Sequence, residues 1–403
     1  MPSITFELET VTPLFLSGAD QTVAELRPPA FRGALRYWFR AIASSVAPFN
    51  EVKQWENKVF GNTDSSGAVI IRVQSNQLSS SKFLTKNEDF SGLSYLYFSA
   101  YKGSGKDARG CFPPGSSIKI VLQTRFPSPE NLQYLKLASG AMWALINLGG
   151  IGSRSNRGAG NLRLKSYKAD ITDINAIPFK LRANNLTELS SSISDGITKV
   201  KTIYREILAR THSFSAASSE FDILDPKVSA LYLWQPENLE DAEEWDFILD
   251  VLGTQYQDFR KRYKNAIEDD YPQVKQWIET RGKSDLTTIK RAAFGLPIQF
   301  YFSSLQKKKL PAYKASLEAS QKINRSSSPL HFKVIPVNDE NFAILIIHFK
   351  TSLLPSNGKL KLTTKLILKD KKPQPISVQC SVPDQSIISE FISTLNASSV
   401  DFL

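Results

Sequence analysis

Between residues 149 and 160 the chain reads GGIGSRSNRGAG, which sets five glycines around Ser153, Arg154, Asn156 and Arg157. Glycine lets a backbone approach a phosphate closely and turn its N–H groups toward it, forming a concave anion nest. Arginine adds a planar fork of donors that grips a phosphate through two parallel hydrogen bonds. These residue types at this spacing suit the holding of a phosphodiester, with Gly152, Ser153, Arg154, Asn156 and Arg157 as the contacts. A solvated turn needs only one or two unusual φ values, fewer than this run supplies. No Gly-Lys-Ser/Thr ends the segment, so it is not a Walker A loop. A helix-like run precedes it and a strand-like run follows, the reverse of what a dinucleotide fingerprint requires.

A second basic group lies in FRGALRYWFRAIAS (31–44). Phe31, Ala34, Leu35, Trp38, Phe39 and Ile42 fall on one helical face, and Arg32, Arg36 and Arg40 form a separate stripe at i, i+4, i+8. Arg27 lies just before this run, and Tyr37 is carried on the same helix. Arginine on an exposed helix face is ordinary by itself; two basic elements that meet carry more weight than either alone. Catalytic chemistry has no obvious seat. The three histidines, His212, His331 and His348, have no metal-ligand spacing, and two of them sit in strand-like runs. There is no G-x-S-x-G elbow. Cys111 and Cys380 are far apart without a CxxC or Cys/His pattern, which argues against zinc or a disulfide framework and suits a reducing cytoplasm. Asp20, in GADQ, reads as a turn residue bonding its neighbours. No metal, cofactor or small-molecule substrate is expected.

The elements that would position these residues follow from periodicity. Strands are expected at 4–12, 68–75, 116–126 and 161–169, with helices at 31–44 and 131–148. Asn131 is a candidate cap of the second helix, and Gly149–Gly150 its stop. Pro28–Pro29 falls in the loop before the first helix. The order strand, helix, strand, strand, helix, strand is the ferredoxin-like arrangement. In it the first helix and the loop before the last strand converge near one edge of the sheet. Further on, a Ser/Thr-rich stretch (184–220) with a helical piece near 197–210 reads as a connector. VSALYLWQ (228–235) opens a second region, followed by acidic EDAEEWDFILDVLG and a separate basic helix at 257–267. Strands are expected at 297–302, 330–337, 342–349 and 359–369, and a closing helix at 387–395. The expectation is an α+β chain of two tandem ferredoxin-like (RRM-like) domains with helical insertions. They span residues 1–170 and 226–403, joined by a connector over 171–225.

Charge points to a partner. The chain carries a formal +11, distributed unevenly. Residues 1–168 hold 20 Lys/Arg against 11 Asp/Glu, 169–287 hold 14 against 21, and 288–403 hold 16 against 7. Two basic blocks flanking an acidic one favour a polyanion through counterion release. No stretch approaches the ~18 apolar residues of a membrane span. The N-terminus alternates like a strand and lacks the pattern of a signal peptide.

The glycine loop after a second helix resembles that of the RAMP superfamily, the RNA-binding proteins of CRISPR systems. ETVTPLFLSGADQ…ELRPPAFRGALRYWFRA is similar to the N-terminus of one branch, the large two-domain RAMP subunit of the type III-B, or Cmr, effector complex. RAAFGLPIQF (291–300) and NRSSSPLHFKV (324–334) resemble that branch's second-domain signature. The resemblance implies a non-catalytic subunit, contacting crRNA and target RNA near the crRNA 3′ end beside other RAMP subunits, with no membrane. Carried onto matching positions, it adds Arg27, Arg32 and Arg36 from the first region, and Lys290, Arg291 and Arg325 from the second. Tyr37 and Arg40 join from the first helix. In the related backbone subunit an aspartate in the loop before the first helix cuts RNA; the resemblance implies no such role for Asp20. The alternatives are a RAMP endoribonuclease that processes CRISPR transcripts and a purely structural assembly subunit. A nuclease of that kind often uses a histidine near the first helix, and no histidine precedes residue 212 here.

Overall fold

Ile4, Phe6 and Leu8 alternate with polar partners along β1 (Ser3–Thr10), and all three are fully buried. That alternation makes β1 a strand with one face in the core. The computed structural model describes residues 1–402 except 76–79, 84–89, 102–106, 172–175, 209–220, 263–269, 308–311, 321–325, 339–340, 356 and 367–373. His212 and Arg325 therefore lie outside the described residues. Two compact units result: residues 1–254, 331–349 and 397–403 form the first, and 255–330 with 350–396 the second.

After β1 come α1 (Pro28–Ala43), α2 (Phe49–Phe60) and β2 (Val69–Gln74). The short strands β3 (Ser81–Lys82) and β4 (Gly110–Cys111) pair with each other and flank α3 (Ser91–Leu96). Then follow β5 (Ser117–Thr124), α4 (Pro129–Asn147) and β6 (Leu162–Ala169). The first sheet has the order β2-β5-β1-β6, antiparallel throughout. Counting these four strands along the chain gives 2-3-1-4, the ferredoxin-like order. Pro28 and Pro29 belong to the first turn of α1 and not to the preceding loop, because proline's missing N–H costs nothing there. The cap of α4 is Ser128, whose hydroxyl accepts the Asn131 N–H at 3.1 Å; Asn131 instead donates to the Phe126 carbonyl.

The stretch read as a connector contains a 22-residue helix, α5 (Leu186–Ile207). Asn185 caps its start: the Glu188 N–H donates to Asn185 Oδ1 at 2.9 Å, and the Asn185 side-chain amide donates back to Glu188 Oε1 at 3.1 Å. Leu189, Ile193, Ile197, Val200 and Tyr204 are buried, and the Tyr204 hydroxyl donates to the Leu137 carbonyl of α4 at 2.6 Å. The serines and threonines on its outer face are what made it read as a linker.

The second sheet uses β7 (Ser229–Trp234), and α6 (Trp245–Arg262) and α7 (Asp270–Glu279) follow in the chain. Next are β8 (Ile298–Tyr301), α8 (Ser303–Lys307), β9 (Lys314–Ala319), β10 (Leu330–Pro336) and β11 (Phe342–Phe349). β12 (Leu360–Leu366), β13 (Gln374–Cys380), α9 (Ser386–Thr394) and β14 (Ser398–Val400) complete the chain. The second sheet reads β10-β11-β7-β14, again 2-3-1-4 in its own chain order. The fold is α+β with two ferredoxin-like sheets. Both belong to the first compact unit, and one hydrophobic core includes Phe6, Trp143, Leu233 and Leu345 from the two.

The second unit holds the sheet β13-β12-β9-β8, with Trp277, Phe302, Leu317 and Leu362 in its own core. Of the separate basic helix expected at 257–267, residues 257–262 are instead the end of α6, which continues through Gly253, and 263–267 lie outside the described residues. That glycine is a contact point and not a stop: a Cβ there would lie 2.3 Å from the Gly92 carbonyl oxygen. Among the described residues no helix is long and apolar enough to cross a membrane.

Candidate nucleic-acid interface

The glycine loop closes on itself at its neck, where the Ile151 N–H donates to the Gly160 carbonyl at 3.0 Å. It stands on the segment after β1: Ser153 N–H donates to Phe15 and Gly160 N–H to Pro13, each at 2.9 Å. Arg154 is left-handed (φ 64°), Ser155–Arg157 make one 3-10 turn, and Gly158 is left-handed again. Arg157 and Ala159 both donate to the Arg154 carbonyl. The N–H groups of Ile151, Ser153, Arg157, Ala159 and Gly160 are thus spent inside the protein. The glycines shape the loop more than they offer backbone donors, and anion contacts fall to the side chains.

Those side chains are held in place. Arg154 donates through Nε to Ser99 Oγ at 2.8 Å, and its guanidinium lies 4.7 Å from the Phe98 ring centre. Arg157 donates to the Asn156 carbonyl and lies 5.5 Å from the Phe332 ring. A ring beneath a guanidinium fixes its plane, and so fixes the direction of its N–H fork. Ser153 Oγ accepts from Arg109 at 2.7 Å, bringing in a third arginine that periodicity did not reveal. It sits in an irregular stretch of the chain, and only the fold brings it to the loop.

The first helix reaches the same place. Gly149 packs so closely on Trp38 that a Cβ would lie 2.3 Å from the indole nitrogen. Asn156 Nδ2 and His331 Nε2 are 2.9 Å apart, and the Tyr37 and His331 rings are 6.3 Å apart. The Tyr37 hydroxyl donates to Asp222 at 2.7 Å. Burial, reinforced by that carboxylate, pushes the phenol well above its usual range and keeps it protonated. The α1 stripe divides. Arg36 and Arg40 both bind the buried Glu56 of α2, Arg40 at 2.8 Å. Arg32 is exposed and has no ion-pair partner among the described residues; Arg27 stands 3.8 Å from Glu25.

Asp20 is exposed, and its Oδ1 accepts from the Thr22 hydroxyl and N–H at 2.7 and 2.8 Å, which holds its carboxyl below the usual value. Lys290 and Arg291 open a 3-10 turn in the second unit, where their N–H groups donate to the buried Asp270 at 2.7 and 2.6 Å.

Lys333, inside β10, is a residue that sequence reasoning missed. Its ammonium is buried and donates to the carbonyls of Gly149 (2.8 Å), where the loop starts, and of Leu162 (3.4 Å), the first residue of β6 beyond it. Val334 N–H binds Asn161 Oδ1 beside it. Burial lowers the Lys333 pKa to about 7. Between pH 7 and the ordinary lysine value, the unfolded chain binds this proton and the folded chain does not. The cost of burying the charge is therefore full below pH 7 and is relieved as pH rises. Urea unfolding should show stability rising from pH 7 to 9 on this account. Lys333→Met should make the curve flatter than wild type; equal slopes would mean the lysine stays charged in the fold.

A model of the RAMP superfamily matches residues 7–163. The CRISPR system Cmr subunit Cmr1-1 of Pyrococcus furiosus is 26% identical over 355 residues, 87% of this chain and 88% of that protein. Cmr1-2 of the same organism is 30% identical over 181 residues, 40% of this chain and 95% of the relative. The crystal structure of Cmr1 from Pyrococcus furiosus in its apo form shares the fold, with a TM-score of 0.61 at 21% identity over 100% of this chain and 99% of that one. The chain belongs to the Cmr1 family of the RAMP superfamily.

Proposed function

We propose that the chain is a non-catalytic RNA-binding subunit of a CRISPR type III-B RNA-guided complex, holding guide RNA, target RNA or both near the crRNA 3′ end. The observation that carries this reading is the loop at 149–160. It fixes Arg154 and Arg157 on Phe98 and Phe332 and brings Arg109 and the first helix to the same place. Backbone phosphates are the ligand such a set suits, and sequence would be read by base pairing between guide and target. In this proposal the N-terminal ferredoxin-like domain (1–170) carries the loop, and the C-terminal region (226–403) adds Lys290, Arg291 and Arg325. Other Cmr subunits are its neighbours and the cytoplasm its compartment.

Labelled single-stranded RNA with a guide-like 3′ tail, titrated across a salt series, tests the reading. Affinity should fall with salt by about 0.7 in log K per decade for each phosphate contact, and the RNA should stay intact. Salt-independent binding or none would favour the structural-subunit alternative. Cleaved RNA would favour the endoribonuclease.

A further inference from the structure

β6 and β10 are the edge strands of the two ferredoxin-like sheets, and both line one groove of about 630 Å³ together with residues 179–184. This volume falls in the range of small-ligand sites, room for about two nucleotides. Its walls are basic. Lys180 and Arg182 are exposed on one side and have no ion-pair partner among the described residues. On the other side Arg163 and Lys165 share one carboxylate, Glu9, with Nε of Arg163 at 2.7 Å and Lys165 at 3.2 Å. Burial raises the Glu9 pKa, but the two cations outweigh it and leave the group ionised. The acidic lining residue, Glu188, is engaged by Asn184 and Asn185 at the start of α5. The floor is apolar in part, with Phe179 and Val337 beside the buried Lys333 and Asn147.

We propose that this groove is a second RNA site, which takes a short single-stranded stretch with its phosphates on Lys180 and Arg182 and its bases over the apolar part of the floor. It rests on the RNA-binding reading above but uses none of the loop's residues. An edge strand can also recruit a protein strand, and two features oppose that here. Pro336 removes an N–H donor from the β10 edge, and Lys165 sets a charge on β6. A cationic groove with a partly apolar floor is the arrangement that binds single strands without reading their sequence.

The test uses the full chain and an oligouridylate carrying photoreactive thiouridine. Lys180→Ala/Arg182→Ala should weaken binding about tenfold at low salt and take about 1.4 off the salt slope, two contacts' worth. Crosslinked peptides should include 162–165 or 179–184. Matched urea midpoints would show that the double variant is folded. Affinity within about twofold of wild type, with every crosslink elsewhere, overturns the proposal. Loss of the groove crosslink to an acidic peptide competitor, and not to unlabelled RNA, overturns it in favour of a protein strand. If wild type itself shows no salt-sensitive binding, the underlying RNA reading fails and the groove falls with it. Wild-type binding that survives the groove variant but not loop variants sinks the groove alone.

Discussion

A chain carrying Arg154→Gly and Arg157→Ala is expected to bind single-stranded RNA about a hundredfold more weakly than wild type. Each charge-assisted hydrogen bond to a phosphate contributes at least about 1.5 kcal/mol, and two such bonds lost amount to about two decades of affinity. Log–log plots of affinity against salt should be shallower by about 1.4. The choice of glycine at 154 separates binding from stability. Arg154 has a φ of 64°, in the left-handed region that disfavours any residue with a Cβ. Glycine relieves that strain, roughly offsetting the lost stacking on Phe98, so unfolding free energy should stay within about 1 kcal/mol of wild type. Weaker binding at unchanged stability marks a residue kept for recognition. Unchanged affinity would remove the loop from the RNA path.

The loop itself contains the material for this contrast. Glycine occupies its other left-handed positions, 152, 158 and 160, yet an arginine occupies 154. Backbone strain of this kind costs about 1–3 kcal/mol and persists where the surroundings over-determine it. Here the surroundings are Ser99, Phe98 and the two N–H groups that converge on the Arg154 carbonyl.

Much of the first sheet was legible because its pattern is local. Ile4, Phe6 and Leu8 alternate, and the face from Phe31 to Ile42 repeats at helical spacing, so element type follows from neighbours in sequence. The glycine loop was legible as an anion site from composition alone. How the loop is built was not, since the partners of Ser153, Gly160 and Gly149 are Phe15, Pro13 and Lys333, from other parts of the chain. The arginine stripe on α1 is real in spacing but unequal in role. Glu56, twenty residues past Arg36, takes Arg36 and Arg40, and nothing in the local pattern of α1 announces it. β14 escaped notice because three residues, Ser398–Val400, carry too little periodicity to stand out. α5 was legible only in its second half, the helical piece near 197–210, because serine and threonine crowd the polar outer face of its first half over a buried stripe. Arg109 and Lys333 reach the site only through the fold.

Gly160→Ala is expected to cost about 3 kcal/mol of stability, a value in the range that a clash against fixed backbone produces. A Cβ at 160 would lie 1.9 Å from the Ile151 carbonyl oxygen, at a φ of +61°. The clash cannot be relieved by turning a side chain, because the blocking atom is backbone and both strands of the neck are pinned. Ile151 donates to Gly160, and Gly160 to Pro13. Gly115 supplies the control. Its φ of +81° is equally left-handed, but a Cβ there meets nothing within 4 Å. Gly115→Ala should therefore show the conformational term alone, about 1 kcal/mol. Urea unfolding followed by tryptophan fluorescence reads both variants, since Trp38, Trp55, Trp143, Trp234 and Trp245 all belong to the first unit. The difference between them isolates the closure of the neck. Under conditions where Gly160→Ala is still folded, its RNA affinity should fall with that of the arginine variant, because an opened neck lets Arg154 and Arg157 leave their rings. Equal costs for the two alanines would show that the neck opens freely. The loop would then be a flexible tether for its arginines and not a rigid seat.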